Sequence, residues 1–241
     1  MFLNMAFFCI KNKKAPGYNE KMSWFKAKTN QGIKLKVAVD EEGKQQAFIE
    51  YVPSENAWRP ILATNYLFIH CIVTSSKKLR DTGIASLLIK NCEQEAKNAG
   101  KSGICTMTSK GTWMADKSLF EKNNFEVTEE KGRFELLVKQ FDEKAEMPKF
   151  NDWEKQQSNY KGWNLVYADQ CPWHEKSVFD LLNTAMDHDI DLKVTKLENP
   201  KDAQNAPSGF GTFSLLKDGK LIEDHYLSRT RFENILKQEV K

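Results

Sequence analysis

Arg80-Asp81-Thr82-Gly83-Ile84-Ala85, running on into Ser86-Leu87-Leu88-Ile89-Lys90, is the stretch from which the rest of the chain can be read. Residues 66–73 (YLFIHCIV) lead into it as an apolar, β-branched run, a predicted strand whose end brings Ser75 close to the turn. Behind it, Ile84, Leu87, Leu88, Cys92, Ala96 and Ala99 recur at helical spacing, and Gly100 supplies a stop. Gly83 therefore stands where a strand turns into a helix. At such a point unpaired backbone N–H groups and the positive end of the helix dipole face outward and form an anion site. Gly83 permits close backbone approach, Ala85 leaves the first turn uncrowded, and Arg80 adds a charge. A phosphate-bearing ligand fits residues 80–86; so does the plainer reading of a turn glycine beside a surface arginine.

The chain has 241 residues, 40% hydrophobic and 29% charged, with a net charge of +3 spread along its length. That is the balance of an ordinary globular protein with room for one large or two modest domains. Like charges do not form blocks beyond Lys13-Lys14 and Lys77-Lys78, which argues against nucleic acid as a partner. The five cysteines, Cys9, Cys71, Cys92, Cys105 and Cys171, are odd in number and show no metal-ligand or C-x-x-C spacing. Reduced thiols in a cytoplasmic protein are expected, with no metal centre. Residues 1–10 (MFLNMAFFCI) read as a first strand, and no run reaches the length of about 20 apolar residues that a membrane helix needs.

Taken in order, residues 18–28 suggest a short helix. Ile33, Leu35, Val37 and Val39 alternate with Lys34, Lys36 and Ala38 as a half-buried strand, and residues 46–52 form its hairpin return. After the helix that follows Gly83 come a strand at 103–109, a helical run at 116–123 and a last strand at 134–138. Residues 143–160 are polar and aperiodic and read as a linker. Beyond it, a strand at 163–167 precedes a helix opened by Cys171-Pro172-Trp173-His174 and carrying Val178, Phe179, Leu182, Ala185 and Met186. A strand with Ile190, Leu192 and Val194 follows, then a hairpin around Lys217-Asp218-Gly219-Lys220. A final helix, N-capped by Ser228, ends the order.

Arg80, Gly83 and Ala85 fill the three fixed places of Arg/Gln-x-x-Gly-x-Gly/Ala, and in this the chain resembles the GNAT acyltransferases. Residues 119–125 (Leu119-Phe120-Glu121-Lys122-Asn123-Asn124-Phe125) are similar to that family's Tyr-Glu-Lys-x-Gly-Phe tail. The resemblance covers roughly 1–142 and implies a mixed central sheet flanked by helices, an α+β fold that binds acetyl-CoA. Ser75, Arg80, Asp81, Thr82, Gly83, Ile84, Ala85 and Ser86 would hold the cosubstrate. It also implies transfer of an acetyl group to an amine of a small molecule or peptide. Residues 161–241 resemble thioredoxin, an α/β fold, in their order of elements. Cys171 occupies the first place of the redox motif, His174 the second, and Gly211 the place of the family's cis-proline. A GNAT domain followed by such a module, with its Gln170-Cys171-Pro172 and Ala203-Gln204-Asn205-Ala206-Pro207 segments, is also similar to the YoaP-like proteins.

Acyl transfer needs a neutral amine, a polarised thioester carbonyl and a protonated leaving thiolate. His70, beside the motif, is the candidate base or a structural histidine of the sheet; imidazole titrates near neutrality. Glu50, on the neighbouring strand, either assists the amine or is a solvated hairpin residue. The resemblance puts Phe120 where many members carry a tyrosine that protonates the thiolate, and phenylalanine has no proton to give. A second reading therefore stands beside the enzyme: a non-catalytic sensor of acyl-CoA or thiols, or an interaction protein, whose thioredoxin-like module uses a single reactive cysteine. Cys171, at a helix start with His174 one turn on, is the candidate reactive thiol, its thiolate favoured by the dipole and by a protonated His174. Asp187-His188-Asp189-Ile190-Asp191 reads as a solvated loop, and Trp58, Trp113 and Trp153 as core or pocket rim.

Overall fold

A computed structural model describes residues 9–239. The expected strand over 1–10 lies outside that span except for Cys9 and Ile10, which are in neither helix nor strand. The chain separates into two compact units. One consists of Ala27–Ala57 and Ile61–Asn151; the other gathers Cys9–Lys26 and Trp58–Pro60 with the chain from Asp152 on. This grouping departs from a division at 142 and 161, because two early segments belong with the later unit.

Helix α1 (Tyr18–Ala27) comes first, nearly all of it in the second unit. The first unit then runs β1 (Lys34–Val39), β2 (Gln45–Pro53), β3 (Ile61–Leu62), β4 (Tyr66–Thr74), α2 (Ile84–Asn98), β5 (Gly103–Ser109), α3 (Lys117–Glu121), β6 (Glu126–Lys131), β7 (Phe134–Gln140) and β8 (Lys149–Phe150). Its main sheet has the order β1-β2-β4-β5-β7-β6. Only β4 and β5 are parallel, since α2 carries the chain back across the sheet between them. Leu88, Ile89, Cys92 and Ala96 of α2 bury against Ile49, Tyr51, Ile69 and Leu137 of the sheet. Each fully buried aliphatic side chain there contributes roughly 1.5–3 kcal/mol.

Three expectations are corrected in this unit. The buried stripe of α2 excludes Leu87, which is exposed, because the helix face is rotated toward Ile89. In β1, Val37 and Val39 are exposed while Lys34 and Lys36 both reach Glu95 of α2, so the edge strand turns its lysines to the helix. Residues 143–160 are not bare linker. Leu62 and Ile61 of β3 pair with Lys149 and Phe150 of β8, and the Phe150 N–H donates to Glu129 Oε2 at 2.7 Å.

In the second unit α4 (Trp153–Gln157) starts at Asp152, whose side chain accepts from the Lys155 N–H. There follow β9 (Trp163–Tyr167), α5 (Trp173–Asp187), β10 (Leu192–Lys196), α6 (Pro200–Gln204), β11 (Phe213–Lys217), β12 (Lys220–Glu223) and α7 (Arg229–Glu239). The sheet order is β10-β9-β11-β12, with β9 and β10 parallel through α5 and the other pairs antiparallel. Ser177 of α5 both donates to the Leu227 carbonyl at 2.8 Å and accepts its N–H at 3.0 Å, fixing the approach to α7. Ser228 caps α7 as expected, accepting from the Arg231 N–H. The buried face of α5 is Val178, Leu181 and Ala185. Phe179, Leu182 and Met186 are exposed, a correction to the expected stripe. Among the described residues no helix is long and apolar enough to cross a membrane.

Candidate active site

The turn after β4 leads to the N-terminus of α2 with two left-handed residues, Asp81 at φ 61° and Gly83 at φ 83°. The Thr82 hydroxyl donates to the Leu79 carbonyl at 2.8 Å and holds the turn closed. Gly83 is the N-cap of α2 and makes no side-chain capping bond, so the first-turn N–H groups are left to a ligand or water. A Cβ at Gly83 would meet no atom within 4 Å; the space in front of the cap is open. Arg80 and Asp81 are exposed beside it, and Ile84, Ala85 and Ser86 are half-buried in the first turn. Ser75 donates its N–H to the Gln46 carbonyl at 2.6 Å, tying the end of the strand to β2.

Sequence reasoning missed what positions this turn. Asn123, buried after α3, donates from Nδ2 to Ser86 Oγ at 3.0 Å and to the Leu119 carbonyl at 2.8 Å. Asn124, at the place of the motif's glycine, has φ 62°. Phe120 is buried edge-on against Phe125, ring centroids 5.4 Å apart, within the core under α2.

The ladder between β4 and β5 runs only from Tyr66–Gly103 to Ile69–Thr106, although β4 continues to Thr74 and β5 to Ser109. Past that rung each strand keeps its other neighbour: β4 stays on β2 as far as Thr74, and β5 on β7 as far as Ser109. The two strands thus part inside the sheet. The backbone of β4 beyond Ile69 presents polar groups that β5 does not satisfy. The Thr106 hydroxyl closes the apex, donating to the Ile69 carbonyl at 3.0 Å.

His70 stands at this parting. Cys71 pairs with Glu50 and Ile69 with Tyr51, so His70 is the extra residue of a β-bulge, a device that re-aims a side chain. Its Nδ1 lies 3.4 Å from Glu50 Oε1, both side chains are fully buried, and its ring meets Phe68 edge-on at 5.4 Å. The two residues read separately from sequence are thus brought together.

Cys171 lies in the second unit, before α5. Its side chain is hydrogen-bonded by Cys9, and the Trp173 N–H also reaches its sulfur. The Cys9 hydrogen bond does most to hold the thiol below its ordinary value. The Trp173 N–H and the charges of Lys21 and Arg59 act in the same direction, against burial. Buried Arg59 donates from Nη1 to the carbonyl of Trp58 at 2.8 Å, to Thr212 Oγ1 at 3.2 Å and to Gln170 Oε1 at 3.3 Å. Buried Lys21 sits over the Trp24 ring, 4.2 Å from its centroid. His174 does not supply the expected charge. Its Nδ1–H donates to the Ala168 carbonyl at 2.7 Å, and burial pushes the ring down to about 3, so it is neutral. No local signal links Cys9, Lys21 and Arg59 to Cys171. Asp187, the last residue of α5 and not part of a loop as expected, pairs with Arg229 at 2.8 Å. Among the described residues no group of His, Cys, Asp and Glu is arranged to hold a metal.

The YoaP-like family profile matches residues 191–234. Over 222 residues, 90% of this chain and 87% of the relative, the sequence is 30% identical to a Bacillus subtilis (strain 168) protein described as an uncharacterized N-acetyltransferase, YoaP. Among solved structures, the PaiA N-acetyltransferase of Thermoplasma acidophilum with coenzyme A is 17% identical, covering 52% of this chain and 69% of its own at TM-score 0.40. A GNAT family acetyltransferase of Brucella melitensis with acetyl-CoA is 15% identical, covering 55% and 77% at TM-score 0.35. The chain belongs to the family of that relative, the YoaP N-acetyltransferases.

Proposed function

We propose that the chain transfers the acetyl group of acetyl-CoA to an amine of a small molecule or peptide, in the cytoplasm. The observation that carries the reading is the parting of β4 and β5 after Ile69–Thr106, just before the Gly83-capped start of α2. The N–H groups of residues 83–86 and the Arg80 charge receive the diphosphate. The thioester enters between the strands, where β4 N–H groups beyond Ile69 polarise its carbonyl. His70 takes the proton of the attacking nitrogen, and Glu50, at 3.4 Å, stabilises the imidazolium. The proton lost by nitrogen is balanced by the one the CoA thiolate gains. Phe120 is buried and has no proton to give, so another group or a water delivers it.

The second unit we read as thioredoxin-like. Support comes from its parallel β9–α5–β10 crossover, the antiparallel β11–β12 hairpin and the terminal α7, with Cys171 just before α5. In this division of labour the first unit does acetyl transfer and the second handles thiols.

A panel of primary amines, incubated with acetyl-CoA and the full chain, tests the reading by mass spectrometry. Matched formation of an N-acetylated amine and free CoA is the expected result. Acetyl-CoA that binds but stays intact with every amine favours the sensor reading instead.

A further inference from the structure

The early segment of the second unit lies directly on the start of α5. Gly17, at φ 85°, has its backbone so close to the Pro172 carbonyl that any Cβ would collide with it. Lys21 follows on α1 and is buried, and Arg59 reaches Gln170, the residue before Cys171. Cys9 and Cys171 meet here, side chain to side chain, both reduced and half-buried, and both cations act on the Cys171 sulfur. Cys71, Cys92 and Cys105 all belong to the other unit.

We propose that Cys9 and Cys171 form a dithiol–disulfide couple that exchanges with low-molecular-weight disulfides, Cys171 attacking and Cys9 resolving. In the first step the Cys171 thiolate attacks one sulfur of RSSR. The S–S bond breaks, the departing RS⁻ takes a proton and leaves as RSH, and Cys171 carries the mixed disulfide. In the second step Cys9 gives up its proton and attacks the Cys171 sulfur. A Cys9–Cys171 bond forms and the second RS⁻ leaves as RSH. Two protein thiols are oxidised and one small disulfide is reduced to two thiols, so no other oxidant is needed.

The site suits both steps. Attack needs a thiolate, and the Cys9 hydrogen bond first, then the Trp173 N–H, Lys21 and Arg59, stabilise negative charge on the sulfur. Resolution needs a second sulfur in place, and Cys9 already touches the first, so that step is intramolecular. The tight seat of Gly17 on Pro172 holds Cys9 there through a short run of chain. The product ties Cys9–Lys26 covalently to the start of α5. The inference rests on these contacts and depends neither on acetyl transfer nor on a thioredoxin-like reading.

The test uses glutathione disulfide on the fully reduced, full-length native protein. The reaction is quenched with acid, the remaining thiols are alkylated, and peptides are mapped by mass spectrometry. The expected main product is a linked Cys9–Cys171 peptide pair with both glutathione halves released. Cys171 should react faster than Cys71 at neutral pH by about tenfold or more. Cys9→Ser should accumulate a glutathione adduct on Cys171. A wild type that keeps glutathione on Cys171, or whose Cys171 reacts no faster than Cys71, overturns the proposal, and that result needs no variant to fold.

Discussion

The Thr106 hydroxyl donates to the Ile69 carbonyl across 3.0 Å at the last rung that β4 and β5 share. Beyond it the two strands separate, so this bond holds the apex of the opening. Thr106→Val keeps the side-chain shape and deletes the donor. Stability should fall by about 1 kcal/mol in urea denaturation, and KM for acetyl-CoA should rise more than kcat falls. Unchanged stability and unchanged KM together would remove the apex from the account.

Gly83 caps α2 at φ 83° with open space before it, so a substitution acts through the backbone and not through a clash. Gly83→Val places a β-branched residue in the left-handed region, at a cost of roughly 1–2 kcal/mol, and turns the capping N–H groups from the diphosphate. Calorimetry should show CoA binding weakened about tenfold or more. Arg80→Ala should weaken it less and flatten its salt dependence, since a charge is lost while the cap remains.

His70 and Glu50 act as a pair across the β4 bulge, 3.4 Å apart. His70→Gln should lower kcat by about a hundredfold or more with little change in the Kd of acetyl-CoA. Glu50→Gln should lower kcat less and move the pH–rate profile, because the imidazolium loses its counter-charge. A normal rate in His70→Gln would show that another group takes the amine proton.

In the folded chain His174 stays neutral down to about 3, while unfolded it binds a proton near 6.5. The unfolded state therefore holds the extra proton between those values. Stability from this group is complete above about 6.5 and is lost as pH falls toward about 3, by up to about 1.4 kcal/mol per pH unit. His174→Asn keeps a donor for the Ala168 carbonyl and cannot titrate. Between pH 6.5 and 5 its urea midpoint should fall less steeply than the wild type's. Parallel slopes would mean that the ring is charged in the native chain.

The elements of the first unit were legible where apolar residues repeat with a clear period. The strand at Gly103–Ser109 and the helix at Ile84–Asn98 follow directly from it. β6 escaped because its residues, Glu126 to Lys131, alternate between exposed and half-buried, and an edge strand with no buried face leaves no apolar pattern. β8 escaped because two residues carry no periodicity. The site was half legible. Residues 80–86 announce themselves because one short segment makes the whole anion cap. The β4 bulge that joins His70 to Glu50, the Asn123 bond to Ser86 and the meeting of Cys9 with Cys171 depend on segments distant in sequence. His174 was misjudged for a related reason: proximity to Cys171 in sequence says nothing of burial, and burial decides its charge.

The most direct measurement is the structure of the full chain with acetyl-CoA bound. The account predicts diphosphate oxygens within hydrogen-bonding distance of N–H groups of residues 83–86, and the thioester carbonyl against β4 beyond Ile69, with the acetyl carbon facing His70. A diphosphate seated away from the start of α2, or a thioester outside the opening between β4 and β5, would contradict it.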